Sequence, residues 1–321
     1  MHYKQKTFME KSNEQLKTKI KLYLDEYVTL YMGGLDGKDA RFNYLYNRMQ
    51  KTLEDLFLRL KIEFEQSEFE PWKYELEITK TGEVKPFKVQ LDDGYVELGG
   101  IVDRVDKMDV EGKRYIRVVD YKTGSKEFEL CEVLHGLNMQ MLLYLMAIWK
   151  SDEKEYKDSV PAGILYFPAR SEMYSAKRGE DDDKKLDNRL KANCKMNGMI
   201  LDDETVIDGM DKSGEYKLIP LSINKRTKGV KGNLINLTQL GKLSLKMDEI
   251  IREMGEGLHA GKVDALPIKI GTGERVCTFC DYRSVCLKEK DAEVKQISKI
   301  SHDSTLKILQ EEGEKDEQEM D

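Results

Sequence analysis

From Asn13 to Phe64 the apolar residues return at helical spacings, and in the second half Phe42, Leu45, Met49, Leu53, Leu56 and Leu60 fall three and four apart. The run MGGLDGKD at 32–39 divides this stretch into two helices, because glycine and aspartate suit a turn better than a helix interior. After Pro71 the period shortens: WKYELEITK and KPFKVQL alternate as half-buried strands do. Residues 95–121 read as a β-hairpin, with YVELGGIVDRVDKMDV and KRYIRVVDYK as its arms and Glu111 and Gly112 as its turn. An apolar helix follows over Cys131–Lys150, then a short strand that ends at Pro168. The charged, irregular stretch from about 171 to 235 reads as an inserted lobe. A second amphipathic pattern over 240–262 predicts a helix ending near Gly255 or Gly257.

The order strand, strand, helix, strand makes this an α/β chain. The expected organisation is a helical N-terminal region over 1–65, a core over 66–300 interrupted by the inserted lobe, and an acidic tail over 301–321 in which a short helix runs into disorder.

Composition narrows the class. The chain has 321 residues, 40% apolar and 35% charged, which is enough to bury a substantial core beneath a busy surface. The longest apolar run, Met141–Trp149, is about half of what crosses a bilayer, so no membrane association is expected. The opening MHYKQKTFMEK lacks the apolar segment of a signal peptide, which predicts a cytoplasmic protein with reduced thiols. A net charge of −7 does not exclude nucleic acid as a partner, because a local basic groove and a bound cation decide that binding.

The candidate chemistry lies in the hairpin. Acid-x-base triplets are common by chance in a chain with 60 acids and 53 bases, so Asp120-Tyr121-Lys122 means little without its setting. On a strand Asp120 and Lys122 share one face and Tyr121 takes the other. Antiparallel pairing can bring Asp103 of GGIVDRVD beside Asp120. Two carboxylates so close repel each other unless a divalent cation such as Mg2+ or Mn2+ lies between them. A lysine next to that cation can orient water or neutralise charge on a phosphate, so the set suits phosphodiester hydrolysis. Gln140 and Tyr144 share one face of the next helix and are candidates to contact substrate or lysine. Simpler readings are an Asp103–Arg104 surface ion pair, an Asp120 that caps the turn at Thr123 and Gly124, and a Gln140 amide satisfied near the helix end. Lys225, Arg226, Lys228 and Lys231 are candidate phosphate contacts or a solvated loop.

The cysteines make a second constellation. Cys277, Cys280 and Cys286 form a C-x2-C-x5-C array, which in a reducing compartment reads as metal or cluster ligation, zinc being the generic choice.

The motifs GGIVDRVD, VVDYKTG and GLNMQMLLYLMA, in this order, resemble the signature of RecB-type PD-(D/E)XK nucleases, and in particular the C-terminal nuclease domain of the AddB component of AddAB helicase–nucleases. FEPWKYELEI, KMNGMILDD and AGKVDALPIK extend the likeness over most of the chain. The resemblance implies a restriction-endonuclease-like core, a mixed central sheet flanked by helices. It implies metal ligation by Asp103 and Asp120, catalysis by Lys122, and completion of the motif by Gln140 and Tyr144. Glu75 stands at the glutamate of the family's FxPxxxE segment, and His2 at the remnant of a histidine-bearing helix that contributes a further ligand.

It implies too that the three cysteines hold a [4Fe-4S] cluster together with a fourth cysteine upstream. Neither Cys131 nor Cys194 occupies that place, so the chain reads as an N-terminally truncated domain. The implied function is cleavage of single-stranded DNA ends beside an AddA-type helicase–nuclease partner in double-strand break repair and recombination. No Walker-type loop appears, so an ATP-driven motor is expected from elsewhere. The alternatives are a free-standing Cas4-like iron–sulfur exonuclease and a disabled fragment that only binds DNA or protein.

Overall fold

The computed structural model describes residues 7–124, 127–169, 179, 195–224, 226–264, 266–271, 277, 280–286 and 294–319. Helix α1 (Asn13–Met32) starts from a capping box, in which Ser12 and Gln15 satisfy each other's backbone N–H groups, and it ends on the left-handed Gly33. Helix α2 (Ala40–Gln66) is capped by Asp39, whose side chain accepts from the Phe42 N–H. The break expected at 32–39 is therefore built from a glycine stop followed by an aspartate start.

Strands β1 (Glu70–Ile78), β2 (Phe87–Gln90), β3 (Tyr95–Leu98), β4 (Gly100–Val110) and β5 (Lys113–Lys122) follow. Next come helices α3 (Leu130–Val133) and α4 (Gln140–Trp149), strands β6 (Val160–Pro168) and β7 (Asn197–Leu201), and helix α5 (Glu204–Met210). Short strands β8 (Leu221–Ile223), β9 (Val230–Gly232) and β10 (Leu234–Ile235) precede helix α6 (Leu237–His259). The chain closes with β11 (Ile268–Ile270), β12 (Lys295–Ile297) and helix α7 (His302–Glu319). Among the described residues no helix is long and apolar enough to cross a membrane.

The chain divides into two compact units. The first, Met1–Pro86, Gly99–Phe128 and Met141–Asn236, holds a six-stranded sheet of order β1-β4-β5-β6-β7-β10. β5 runs parallel to β6 and β10 parallel to β7, and the other neighbours are antiparallel, so the sheet is mixed as expected. Glu111 and Gly112, with φ of 50° and 78°, make the β4–β5 turn. Left-handed backbone at both central residues is the type I′ geometry whose twist matches paired strands.

Val119, Leu165, Phe167 and Ile200 from the sheet, Leu60 from α2 and Val206 and Met210 from α5 form one hydrophobic cluster. Beside it, fully inside, lies a group of charges. Arg104 and Arg117 are wholly buried, and Glu63 and Asp106 answer them. Arg117 Nε donates to Asp106 Oδ2 at 2.8 Å and its Nη2 donates to Glu63. Arg104 Nη2 donates to Glu63 Oε2 at 3.1 Å and to Asp106 Oδ2 at 3.0 Å. Two cations face two anions, the balance a low-dielectric interior requires.

The second unit, Phe87–Leu98, Glu129–Gln140 and Leu237–Asp321, contains the β2–β3 hairpin, α6, the parallel β11–β12 pair and α7. Gly255 packs α6 against Leu91 and Val96 of the hairpin.

Several expectations are corrected. YVELGGIVDRVDKMDV is two strands, not one, because the chain breaks at Gly99 and β3 pairs with β2 while β4 pairs with β1 and β5. The expected lobe at 171–235 supplies β7 and β10 to the central sheet: MILDD, though flanked by charge, contains an apolar run that buries at the sheet edge. Helix α6 continues past Gly255 and Gly257 to His259, since a packed helix tolerates interior glycine. The helix of the acidic segment extends to Glu319, anchored by the buried Leu306 and Leu309.

Candidate active site

The antiparallel register of β4 and β5 places Arg104 opposite Val119, and Asp103 and Asp120 come immediately after this last pair. Beyond it the strands part. β4 stays paired with β1 as far as Gly100, and β5 stays paired with β6 as far as Lys122. The two carboxylates therefore stand at the mouth of a fork, one on each strand.

Asp103 reaches across. Its Oδ2 accepts from the backbone N–H of Tyr121 at 2.9 Å, next to Asp120. Asp120 is 9% exposed. Lys122 Nζ lies 2.7 Å from Asp120 Oδ2, close enough for ion pairing but outside hydrogen-bond alignment, so that buried oxygen has no hydrogen-bond donor among the described residues. The ammonium also sits 5.5 Å from the centre of the Tyr166 ring, whose residue pairs with Asp120 in the sheet. Carboxylate and ring together hold Lys122 over Asp120.

Tyr144, buried on α4, brings its ring and hydroxyl against Gly100 of β4, where any Cβ would collide with them. Gln140 is the exposed first residue of α4. Glu75 falls between Tyr74, opposite Arg104, and Leu76, opposite Val102, which makes it level with Asp103. Its φ of 50° interrupts the strand's alternation, and the residue is exposed. A left-handed glutamate in a strand is strained backbone, which tends to gather near functional sites.

The donors suit a hard divalent cation. Mg2+ commonly takes only one or two carboxylates from a protein and completes its shell with water and substrate phosphate, and Asp103 and Asp120, level with each other on β4 and β5, are two such carboxylates. Among the described residues no three of His, Cys, Asp and Glu gather as a metal site. Cys277 is half-buried, Cys280 and Cys286 are exposed, and all three are free thiols. The Cys280 N–H donates to the Cys277 carbonyl at 3.3 Å, and the Cys286 N–H donates to the Tyr282 carbonyl at 2.8 Å. Arg226, Lys228 and Lys231 are exposed in the β8–β9 hairpin. His2, Cys194 and Lys225 lie outside the described residues.

Arg104 departs from its simple reading. It is no surface partner of Asp103 but part of the buried charge cluster on the opposite face, where its Nη1 donates to the Tyr121 hydroxyl at 3.1 Å. The sequence does carry a signal for this cluster: the turn at 111–112 sets Asp106 opposite Arg117, a cross-strand charge pair. Tyr166 could not be found this way, since its place beside Asp120 depends on which strand pairs with β5.

The family model of the PD-(D/E)XK nuclease superfamily matches residues 7–287. The B subunit of the ATP-dependent helicase/deoxyribonuclease of Clostridium novyi (strain NT) is 31% identical over 289 residues, covering 88% of this chain and 25% of that protein. The proteins of the same name from Clostridioides difficile (strain 630) and Alkaliphilus metalliredigens (strain QYMF) are each 30% identical, over 94% and 97% of this chain and 27% of their own lengths. The chain thus spans about a quarter of the length of the curated relatives it matches. The superfamily match takes in every strand of the central sheet and the fork between β4 and β5, and by it the chain belongs to the PD-(D/E)XK nuclease superfamily.

Proposed function

We propose that this chain is a metal-dependent deoxyribonuclease domain that hydrolyses phosphodiesters of single-stranded DNA. The observation that carries the reading is the Asp103 carboxylate bound to the N–H of Tyr121, which sets both acids and Lys122 together at the β4–β5 fork. Asp103 and Asp120 would hold Mg2+ or Mn2+, which supplies electrophilic assistance to phosphodiester hydrolysis when bound. Asp120, ion-paired with Lys122 through Oδ2, and Asp103, whose Oδ2 accepts from the Tyr121 N–H, are the two carboxylates that would hold the cation. Lys122, steadied by Asp120 and the Tyr166 ring, neutralises charge growing on the phosphate. Tyr144 braces β4 at Gly100, and Gln140 completes the family motif at the start of α4. Arg226, Lys228 and Lys231 give exposed phosphate contacts, with Lys225 beside them in sequence.

The relatives named as B subunits of an ATP-dependent helicase/deoxyribonuclease support a place for the domain in a helicase–nuclease assembly. An AddA-type partner, DNA ends as substrate, a role in repair and a cytoplasmic location complete this reading on the resemblance of its motifs alone. An iron–sulfur cluster on Cys277, Cys280 and Cys286 rests on their C-x2-C-x5-C spacing alone, since among the described residues the three thiols do not gather as a metal site.

The test uses end-labelled single-stranded DNA and anaerobically purified protein, with iron measured in the same sample. Cleavage should require Mg2+ or Mn2+ and fall at least about a hundredfold in Asp120→Asn, the upper range for damage to a metal's surroundings. Equal cleavage by parent and variant, or cleavage without divalent metal, overturns the assignment.

A further inference from the structure

Among the described residues the β4–β5 ladder ends at the Arg104–Val119 pair, so no ladder pairing fixes the opening of the fork that carries the two acids. Yet a metal site needs its donors held to within about 0.5 Å. Two bridges cross the gap, and both end on Tyr121. On the carboxylate face, Asp103 accepts from the Tyr121 backbone N–H at 2.9 Å. On the other face, the Tyr121 hydroxyl accepts from Arg104 Nη1 at 3.1 Å. Asp103 and Arg104 are neighbours on β4, so the strand grips the same residue of β5 from both sides.

Arg104 is a fixed anchor. It is wholly buried, and its remaining donors go to Glu63 and Asp106, which also bind Arg117. The Tyr121 ring is packed edge-on against Phe167 of β6, 5.7 Å between centroids, so the phenol has little freedom to swing. The residues on either side of Tyr121 are Asp120 and Lys122. Any shift of Tyr121 against β4 therefore carries one ligand and the lysine away from the other ligand.

We propose that Tyr121 is a positioning residue: its hydroxyl, held by Arg104, sets the opening of the β4–β5 fork and thereby the spacing of Asp103 and Asp120 for a divalent cation. The inference rests on the metal site proposed above. Tyr121→Phe keeps the ring and its packing and deletes only the bridge. Mn2+ binding without DNA, followed by the electron paramagnetic resonance of the free ion, should weaken about tenfold, the lower range for a lost outer hydrogen bond. In cleavage, the half-saturating Mg2+ concentration should rise by more than turnover at saturating Mg2+ falls.

A purely structural hydroxyl would lower the unfolding midpoint and leave the Mn2+ isotherm where it was, and that result overturns the proposal. Asp120→Asn, measured beside it, separates the two readings. If Asp120→Asn loses Mn2+ while Tyr121→Phe binds as the parent does, the positioning role alone falls. If Asp120→Asn binds Mn2+ unchanged, the site and the positioning role fall together.

Discussion

Asp106→Asn removes one charge, at constant size, from the interior of the first unit. Asp106 has no solvent exposure and accepts from Arg104 at 3.0 Å and Arg117 at 2.8 Å. Burial by itself would depress the Arg104 guanidinium, but Asp106 and Glu63 outweigh it and hold the group well above its ordinary value. Without Asp106 two guanidiniums face Glu63 alone, and arginine does not escape by losing its proton. An unbalanced buried charge of this kind costs about 3–5 kcal/mol.

The same strand offers a control. Asp109 meets Arg114 and Lys107, each at 2.8 Å, but its side chain is 47% exposed, so Asp109→Asn should cost between about 0 and 1 kcal/mol. Both tryptophans, Trp72 and Trp149, belong to the first unit, so their fluorescence in urea reports that unit's unfolding. With an m-value of about 3 kcal/mol/M, Asp106→Asn should lower the midpoint by roughly 1–2 M and Asp109→Asn by about 0.3 M or less. If the two variants unfold together with unchanged m, the buried cluster does not hold the charges described here.

Further outcomes follow from other parts of the chain. Glu111→Asn places a residue tolerant of left-handed backbone at the first position of the β4–β5 turn and should raise stability by about 0.5–1 kcal/mol, read from the same urea midpoint. A destabilised variant would contradict the turn assignment. Burial, and then the charge of Lys295, hold the His135 imidazole below its usual 6.5. The unfolded chain therefore binds that proton more readily: the contribution of His135 to stability is complete above pH 6.5 and is lost as pH falls from 6.5 through the folded value. The His135 ring proton resonance should titrate below 6.5, and His135→Gln should flatten the acid side of the stability profile. A midpoint at or above 6.5 would refute this.

The sequence by itself determined most of the local elements, though the helix expected over Cys131–Lys150 is two, Leu130–Val133 and Gln140–Trp149, parted around Gly136, and it determined the pairing of the two candidate acids. Period 3.6 before Gln66 and period 2 after it mark helix and strand because those spacings turn apolar groups to one side. Glu111-Gly112 fixed the hairpin and, through its register, brought Asp103 level with Asp120. The likeness of GGIVDRVD and VVDYKTG to nuclease motifs supplied the chemical reading of that pair.

Only the tertiary structure decided what pairs with what beyond the hairpin. That β5 runs parallel to β6, which brings Tyr166 beside Asp120, depends on a contact between residues far apart in the chain that no local pattern encodes. The recruitment of β7 and β10 from a charged stretch had the same cause, since a short apolar run joins whichever sheet edge is left open. Arg104 shows the limit most clearly. Beside an aspartate in the sequence it reads as a surface charge, and it is buried because α2, well upstream, brings Glu63 to meet it and the hairpin brings Asp106 and Arg117. A charge can leave water only where its partners converge from separate elements, and that convergence is a property of the assembled fold.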